Sequence, residues 1–262
     1  MTDEDVGPPE YQQADGVNGG RMYDKFWSAE TNWSQVDPRN ANLNKYADFF
    51  RCKQCHGWDR IGTAGSYVNR GPTTKRPNIS AVNLVQVAQS LGPEALFEAI
   101  RRSTNRRPYS TDLSTYNPAT NPTDGDKMPD YSELLTDVQI WELVRFLKVD
   151  AIDWTKLYDL TVTGSYPTGS PTYTNIGKDG DASRGDALFS AKCSWCHGSG
   201  GTAILVDGAA YTVGRHLRTK PYEDQHKIRF GQLGSQMPAT AISPSEMKDL
   251  YKALTNTAKY PD

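Results

Sequence analysis

Two stretches of the chain share one helical rhythm. After Thr136, apolar residues fall at Ile140, Leu143, Val144 and Leu147; after Ser243 they fall at Met247, Leu250, Tyr251 and Leu254. This i, i+3, i+4, i+7 spacing predicts two amphipathic helices, each with one buried stripe. Both open on a capping box, Thr136 with Gln139 and Ser243 with Glu246, and Pro244 suits a first turn. The segments before them also match. Ala95-Leu-Phe-Glu-Ala-Ile-Arg101 precedes Lys127-Met128-Pro129, and Glu223-Asp-Gln-His-Lys-Ile-Arg229 precedes Gln236-Met237-Pro238. Farther upstream, Gly20-Arg-Met-Tyr-Asp-Lys-Phe-Trp27 and Asp186-Ala-Leu-Phe189 predict a further pair of helices. The chain reads as one module written twice.

The pattern breaks where composition turns polar. Residues 1–19 are acidic and rich in Gly and Pro, and are expected to form an arm. Residues 151–181 read as a Thr/Gly/Ser/Pro linker with a short strand around Leu160 to Tyr166. That leaves modules at 20–150 and 182–262. A segment near Ser28 to Asn44 separates the first predicted helix from the first pair of cysteines. The first module is 32 residues longer between its first cysteine and its Met-Pro. Of these, 13 precede Ile100 and 19 follow it, in the Pro/Asn/Thr-rich stretch from Tyr109 to Asp126. This stretch reads as a surface loop, either a plain insertion or a cover for part of a site.

Composition narrows the function classes. The 262 residues are 37% hydrophobic, and the 22 glycines bring the chain only to the bottom of the usual range of about 45–50% apolar. Mean hydropathy is −0.67. No stretch approaches the roughly 20 apolar residues of a membrane span. Net charge is −2, so no global field points to nucleic acid or an anionic membrane.

The chemistry is concentrated in four cysteines. Cys52-Lys-Gln-Cys55-His56 and Cys193-Ser-Trp-Cys196-His197 use every cysteine and half of the four histidines. On a helical turn, positions i, i+3 and i+4 share a face. Two thiols there can add to the two vinyl groups of one haem while the adjacent imidazole reaches the iron, the c-type attachment signature. Other readings fit less well. A Cys₄ zinc site spaces its pairs by about 15–20 residues, whereas 137 intervene here. A thioredoxin-like motif sits near a βαβ pattern that neither neighbourhood shows. Disulfides between cysteines so close on a helix would be strained.

Cys-x-x-Cys-His, a later Met-Pro and a capped closing helix together resemble a class I cytochrome c domain, over most of residues 20–150 and 182–262. Arg184-Gly-Asp-Ala-Leu-Phe189 is similar to that family's Gly-x-x-Leu-Phe first helix. The resemblance implies an all-α chain of two tandem domains, each a few helices around a covalently attached haem, with long loops. It implies two haem c groups on Cys52, Cys55, Cys193 and Cys196. Iron would be held by His56 with Met128 and by His197 with Met237. The insertions of the first copy depart from the compact family pattern at Met128. Met1, Met22 and Met247 read as tail or core, and His216 and His226 stand as competing distal ligands. Trp58, Trp141 and Trp195 are expected to pack on porphyrin. Arg101, Arg102, Arg106 and Arg107 form a basic cluster, read as a solvated face or as a partner for propionates or an acidic protein.

An iron with two protein ligands has no open position, so the leading expectation is single-electron transfer between redox partner proteins. A fixed subunit of a respiratory assembly is a variant of it. The alternative is a di-haem oxidoreductase, thiosulfate-dehydrogenase-like or a peroxidase, with one labile haem and a pocket built by the insertion; two Met-Pro motifs weigh against it. Covalent attachment implies a periplasmic or extracellular location. Met1 is followed by acidic, Gly/Pro-rich residues rather than a signal peptide, so the chain is expected to be a mature form. If haem fills both cores, neither module folds well without it. The apo-chain is expected to lack a cooperative melt by circular dichroism; a stable, cooperatively melting apo-protein would contradict this.

Overall fold

The computed structural model describes residues 7–29 and 43–262. The chain divides into two compact units. Unit 1 comprises Met1–Ala151, Thr163–Ser170 and Leu233–Gln236; unit 2 comprises Ile152–Val162, Pro171–Gln232 and Met237–Asp262. Most of the separating segment expected near residues 28–44 lies outside the described residues.

Unit 1 holds α1 (Pro9–Gln13), α2 (Gly16–Ala29), α3 (Cys52–His56), α4 (Leu84–Ser90), α5 (Pro93–Arg101), α6 (Thr123–Asp126) and α7 (Asp137–Arg145). A π-turn at Phe146–Asp150 prolongs α7. Its capping box is formed as expected, and Ile140, Leu143 and Val144 are buried. Within the stretch expected as an arm, α1 packs inward. Tyr11 is buried against Trp141, with Arg145 over its ring.

A two-stranded sheet, β1 (Asp159–Thr163) and β2 (Ser170–Thr174), has all but one residue of each strand in unit 2 and is a small departure from an all-α chain. Each strand alternates exposed and half-buried residues and is rich in β-branched Thr and Val, which suit a pleated surface. Helices α8 (Ala182–Lys192), α9 (Ser194–His197), α10 (Val213–Thr219), α11 (Pro221–Phe230) and α12 (Pro244–Leu254) follow. The α12 capping box is present, and Met247, Leu250, Tyr251 and Leu254 are all buried. They join Phe189, Leu217 and Tyr260 in one core. Leu157 and Tyr158, from the stretch expected as linker, belong to that core too. Their polar neighbours hid them from a compositional reading.

One packing device recurs in both units. A Cβ on Gly19 of α2 would lie 1.9 Å from the Glu142 carbonyl oxygen of α7. A Cβ on Gly185 of α8 would lie 2.0 Å from the Asp249 carbonyl oxygen of α12. Backbones this close exclude any side chain at the crossing. Polar partners flank each contact. Asn18 Nδ2 donates to Glu142 Oε2 at 2.8 Å. Arg184 donates to Asp249 through Nε (2.8 Å) and Nη2 (3.0 Å). Glu142 and Asp249 stand at the same distance from their caps, as do Tyr23 and Phe189 from their glycines.

Gly185→Ala must push α8 from α12, and overpacking of this kind costs about 1–3 kcal/mol, measurable as a lowered denaturation midpoint with unchanged slope. The Arg184 hydrogen bonds hold the Asp249 carboxyl below its usual pKa, against the opposing effect of burial. A depressed carboxylate contributes stability above its ordinary pKa of about 3.9 and loses it as pH falls through the lowered value. Asp249→Asn is therefore expected to flatten acid destabilisation of unit 2 below about pH 4, read from urea midpoints across pH.

Candidate functional site

The first attachment turn is gripped at both ends by α2. Arg51, its N-cap, pairs with the buried Asp24 carboxylate and donates through Nε to the Asp24 carbonyl (3.1 Å). Tyr23 donates its hydroxyl to the Gly57 carbonyl at 2.7 Å. Gly57 closes the turn at φ 77°, ψ 162°, and Gly198 closes the second turn at φ 73°, ψ 164°. That backbone region belongs essentially to glycine. The residue after each His is thus structural in both copies, a feature the sequence shows but the Cys-x-x-Cys-His pattern does not include.

Cys52, Cys55, His56 and Met128 line one cavity of about 490 Å³ in unit 1, within the usual range of about 300–1,000 Å³ for cofactor sites. Tyr23, Phe49, Ile79, Leu96, Ile100, Leu143 and Leu147 supply its apolar wall; Arg51, Arg102, Arg106, Asn78, Ser80 and Asp126 supply its polar lining. Burial pushes the Cys52 thiol up to about 11, against the Tyr131 hydroxyl 3.6 Å away, and the Cys55 thiol up to about 12. Both are free and protonated at neutral pH, unlike reactive thiolates. Burial lowers His56 to about 4, with the Val82 carbonyl acting in the opposite sense. The imidazole is therefore neutral, as an iron ligand must be. Its Nδ1 is enclosed and meets no partner at hydrogen-bonding geometry. Among the described residues, no three His, Cys, Asp or Glu side chains group to hold a bare metal ion.

In unit 2, Cys193, Cys196 and His197 lie on or next to α9, each half-buried. Burial raises the Cys193 thiol and lowers His197, whose Nδ1 is also enclosed and unpartnered; the Ile204 carbonyl opposes the shift, as Val82 does at His56. Met237 stands on a separate loop, where its carbonyl accepts from Gln232 N–H at 3.1 Å. Just beyond it, Lys192 Nζ at the end of α8 reaches the Ala241 carbonyl (2.7 Å).

Residues 180–252 match the family model for cytochrome c oxidase, cbb3-type, subunit III. This stretch is a cytochrome c-type domain. The match takes in Cys193, Cys196, His197 and Met237. A domain of this type implies covalently bound haem c and supports a haem-based electron-transfer role for this stretch. No curated protein and no solved structure matches the chain. Among the described residues, no helix is long and apolar enough to cross a membrane.

The unit 1 cavity fits the same group on its own chemistry, with two thiols, a neutral imidazole and a thioether around an apolar space. Other expected neighbours fall elsewhere. Trp58 is buried under Lys53, Trp141 stacks on Phe97 at 4.2 Å, and Trp195 is 80% exposed; none of the three lines the cavity. The basic cluster is not one face. Arg101 is exposed and pairs with Asp137, Arg106 lines the cavity, and Arg107 is 1% exposed. His216 is buried with Nδ1 2.9 Å from Asp224 Oδ1; burial opposes its charge, but the Asp224 carboxylate outweighs it and raises the pKa. His226 packs on Phe230 at 5.0 Å. Met22 and Met247 are core residues.

Gly57→Ala is expected to strain the turn by about 1–3 kcal/mol and push its Cβ to 2.6 Å from Asp59 Oδ1. The measurable result is a lower haem-to-protein ratio than in the parent chain.

Proposed function

We propose that the protein is a di-haem c-type cytochrome that passes single electrons between redox partner proteins outside the cytoplasm. The first haem is attached to Cys52 and Cys55 within residues 20–150, the second to Cys193 and Cys196 within 182–262. His56 with Met128 and His197 with Met237 would hold the two irons. The observation that carries the reading is the unit 1 cavity, where Cys52, Cys55 and His56 of one short turn share a lining with Met128 from far along the chain, a combination that suits a His/Met-ligated haem c. The recurrence of the glycine crossing and of the Gly-closed attachment turn supports a second, equivalent site.

Bound haem supplies a reversible one-electron couple. The chain's residues do the rest. Neutral His56 offers a lone pair, and Met128 supplies the soft ligand that favours the reduced state. The apolar wall keeps water from the centre and tunes its potential. With each iron held by two protein side chains, a substrate would find no open site, and turnover of a small molecule is not part of this reading.

The direct test is the intact mass of the purified protein. It is expected to exceed the polypeptide by two haem groups, and by one in a Cys52→Ser/Cys55→Ser double variant. Reductive titration should then take up two electrons per chain. A single haem in the parent protein would overturn the proposal.

A further inference from the structure

We propose that residues 107–130 form a latch in which Asp126 and Arg107 are positioning residues that keep Met128 seated at the cavity. The inference rests on the reading of Met128 as the distal ligand. The 19 extra residues between Ile100 and Met128, expected as a surface loop, are folded. Leu113 and Tyr116 are buried, and a Cβ on Gly125 would lie 2.1 Å from the Tyr116 ring. The insertion packs onto the cavity's own wall, with Tyr116 on Phe49 at 4.8 Å, and its last residue, Asp126, joins the lining.

Its end is pinned from both sides of Met128. Two residues before it, the Asp126 carboxylate accepts from Asn78 N–H, Asn78 Nδ2 and the Tyr116 hydroxyl, each at 2.8 Å. Asn78 is itself held, since its Oδ1 accepts from the Tyr166 hydroxyl at 2.9 Å. On the other side, Arg107 N–H donates to the Met128 carbonyl (2.9 Å), and the Arg107 carbonyl accepts from Asp130 N–H (2.8 Å). The buried Arg107 guanidinium donates to the carbonyls of Phe49 (2.5 Å) and Lys127 (3.5 Å). Phe49 lies just before the attachment turn. One side chain therefore joins the stretch leading into the cysteines to the segment carrying the methionine. Bonds to charged groups are the strong class of hydrogen bond, and three of them converge on Asp126, two residues before Met128.

The second copy lacks the insertion that carries this latch.

The test uses the purified, haem-loaded oxidised protein mixed with cyanide in a stopped-flow instrument, with the near-infrared Met–Fe(III) band as a second readout. Cyanide binding at the first haem is identified as the phase that Met128→Ala alters, and it is expected to be slow in the parent protein. Asp126→Ala should accelerate this slow phase by about tenfold or more and leave binding at the second haem, altered by Met237→Ala, unchanged. Tyr116→Phe, which removes one of the three bonds, should give a smaller acceleration of the same phase. Arg107→Lys, which keeps the charge but loses the fork, should also accelerate it. Met128→Ala should abolish the slow phase and part of the near-infrared band. If Met128→Ala behaves as described and the Asp126, Tyr116 and Arg107 variants leave the slow phase unchanged, the latch is wrong. If Met128→Ala changes neither readout, the ligand assignment is wrong and the latch falls with it. Should Asp126→Ala fail to load haem, Tyr116→Phe and Tyr166→Phe decide in its place, each removing only a hydroxyl.

Discussion

Two helices can lay backbone against backbone only where one of them has no side chain. That constraint is met at Gly19 against Glu142 and again at Gly185 against Asp249, and much of each unit depends on it. With the crossing fixed, Tyr23 of α2 and Leu143 of α7 are brought to the same cavity wall in unit 1. The residues next to the crossing then grip the attachment turn, Asp24 through Arg51 and Tyr23 through Gly57. In unit 2, α8 runs almost directly into its attachment turn, and Asp249 ties the start of α8 back to α12. Helix packing and haem chemistry are in this way one arrangement. A side chain at the glycine would move the wall, and the wall positions the ligands.

The thin hydrophobic fraction is explained by the same geometry. Apolar residues are spent on cavity walls as well as on protein-to-protein packing, and the donors that face inward are uncharged at neutral pH. An imidazole and two thiols turned from water with few hydrogen-bond partners are costly as an end state. They make sense as the lining of a space that a large apolar group with a metal centre completes. The polar lining contributed by Arg51, Arg102 and Arg106 gives the same cavity a positive side.

How much of this was legible depends on whether the signal is local. The closing helices and their caps were readable because period and cap lie within one dozen residues. That each Cys-x-x-Cys-His motif forms a short helical turn was readable because the i, i+3, i+4 spacing suits one. Tyr11, Leu157 and Tyr158 were not, since isolated apolar residues in polar stretches carry no period. Arg107 looked like part of a charged surface because nothing in the sequence reveals that carbonyls, not water, receive its guanidinium. The bonds from Asp126 to Asn78 and from Asn78 to Tyr166 span 48 and 88 residues. Such contacts leave no trace in a local pattern. Trp58 shows the opposite failure: it stands two residues after the first motif, yet it does not line the unit 1 cavity.

The central claim is that two methionines from matched places in the chain each sit on a haem iron. Proton NMR of the fully reduced, diamagnetic protein tests this most directly, because a methionine methyl over a porphyrin face is shifted far upfield by the ring current. Two such methyl signals are expected, one lost on replacing Met128 and the other on replacing Met237. Methyl resonances for both residues at ordinary methionine positions would contradict the account.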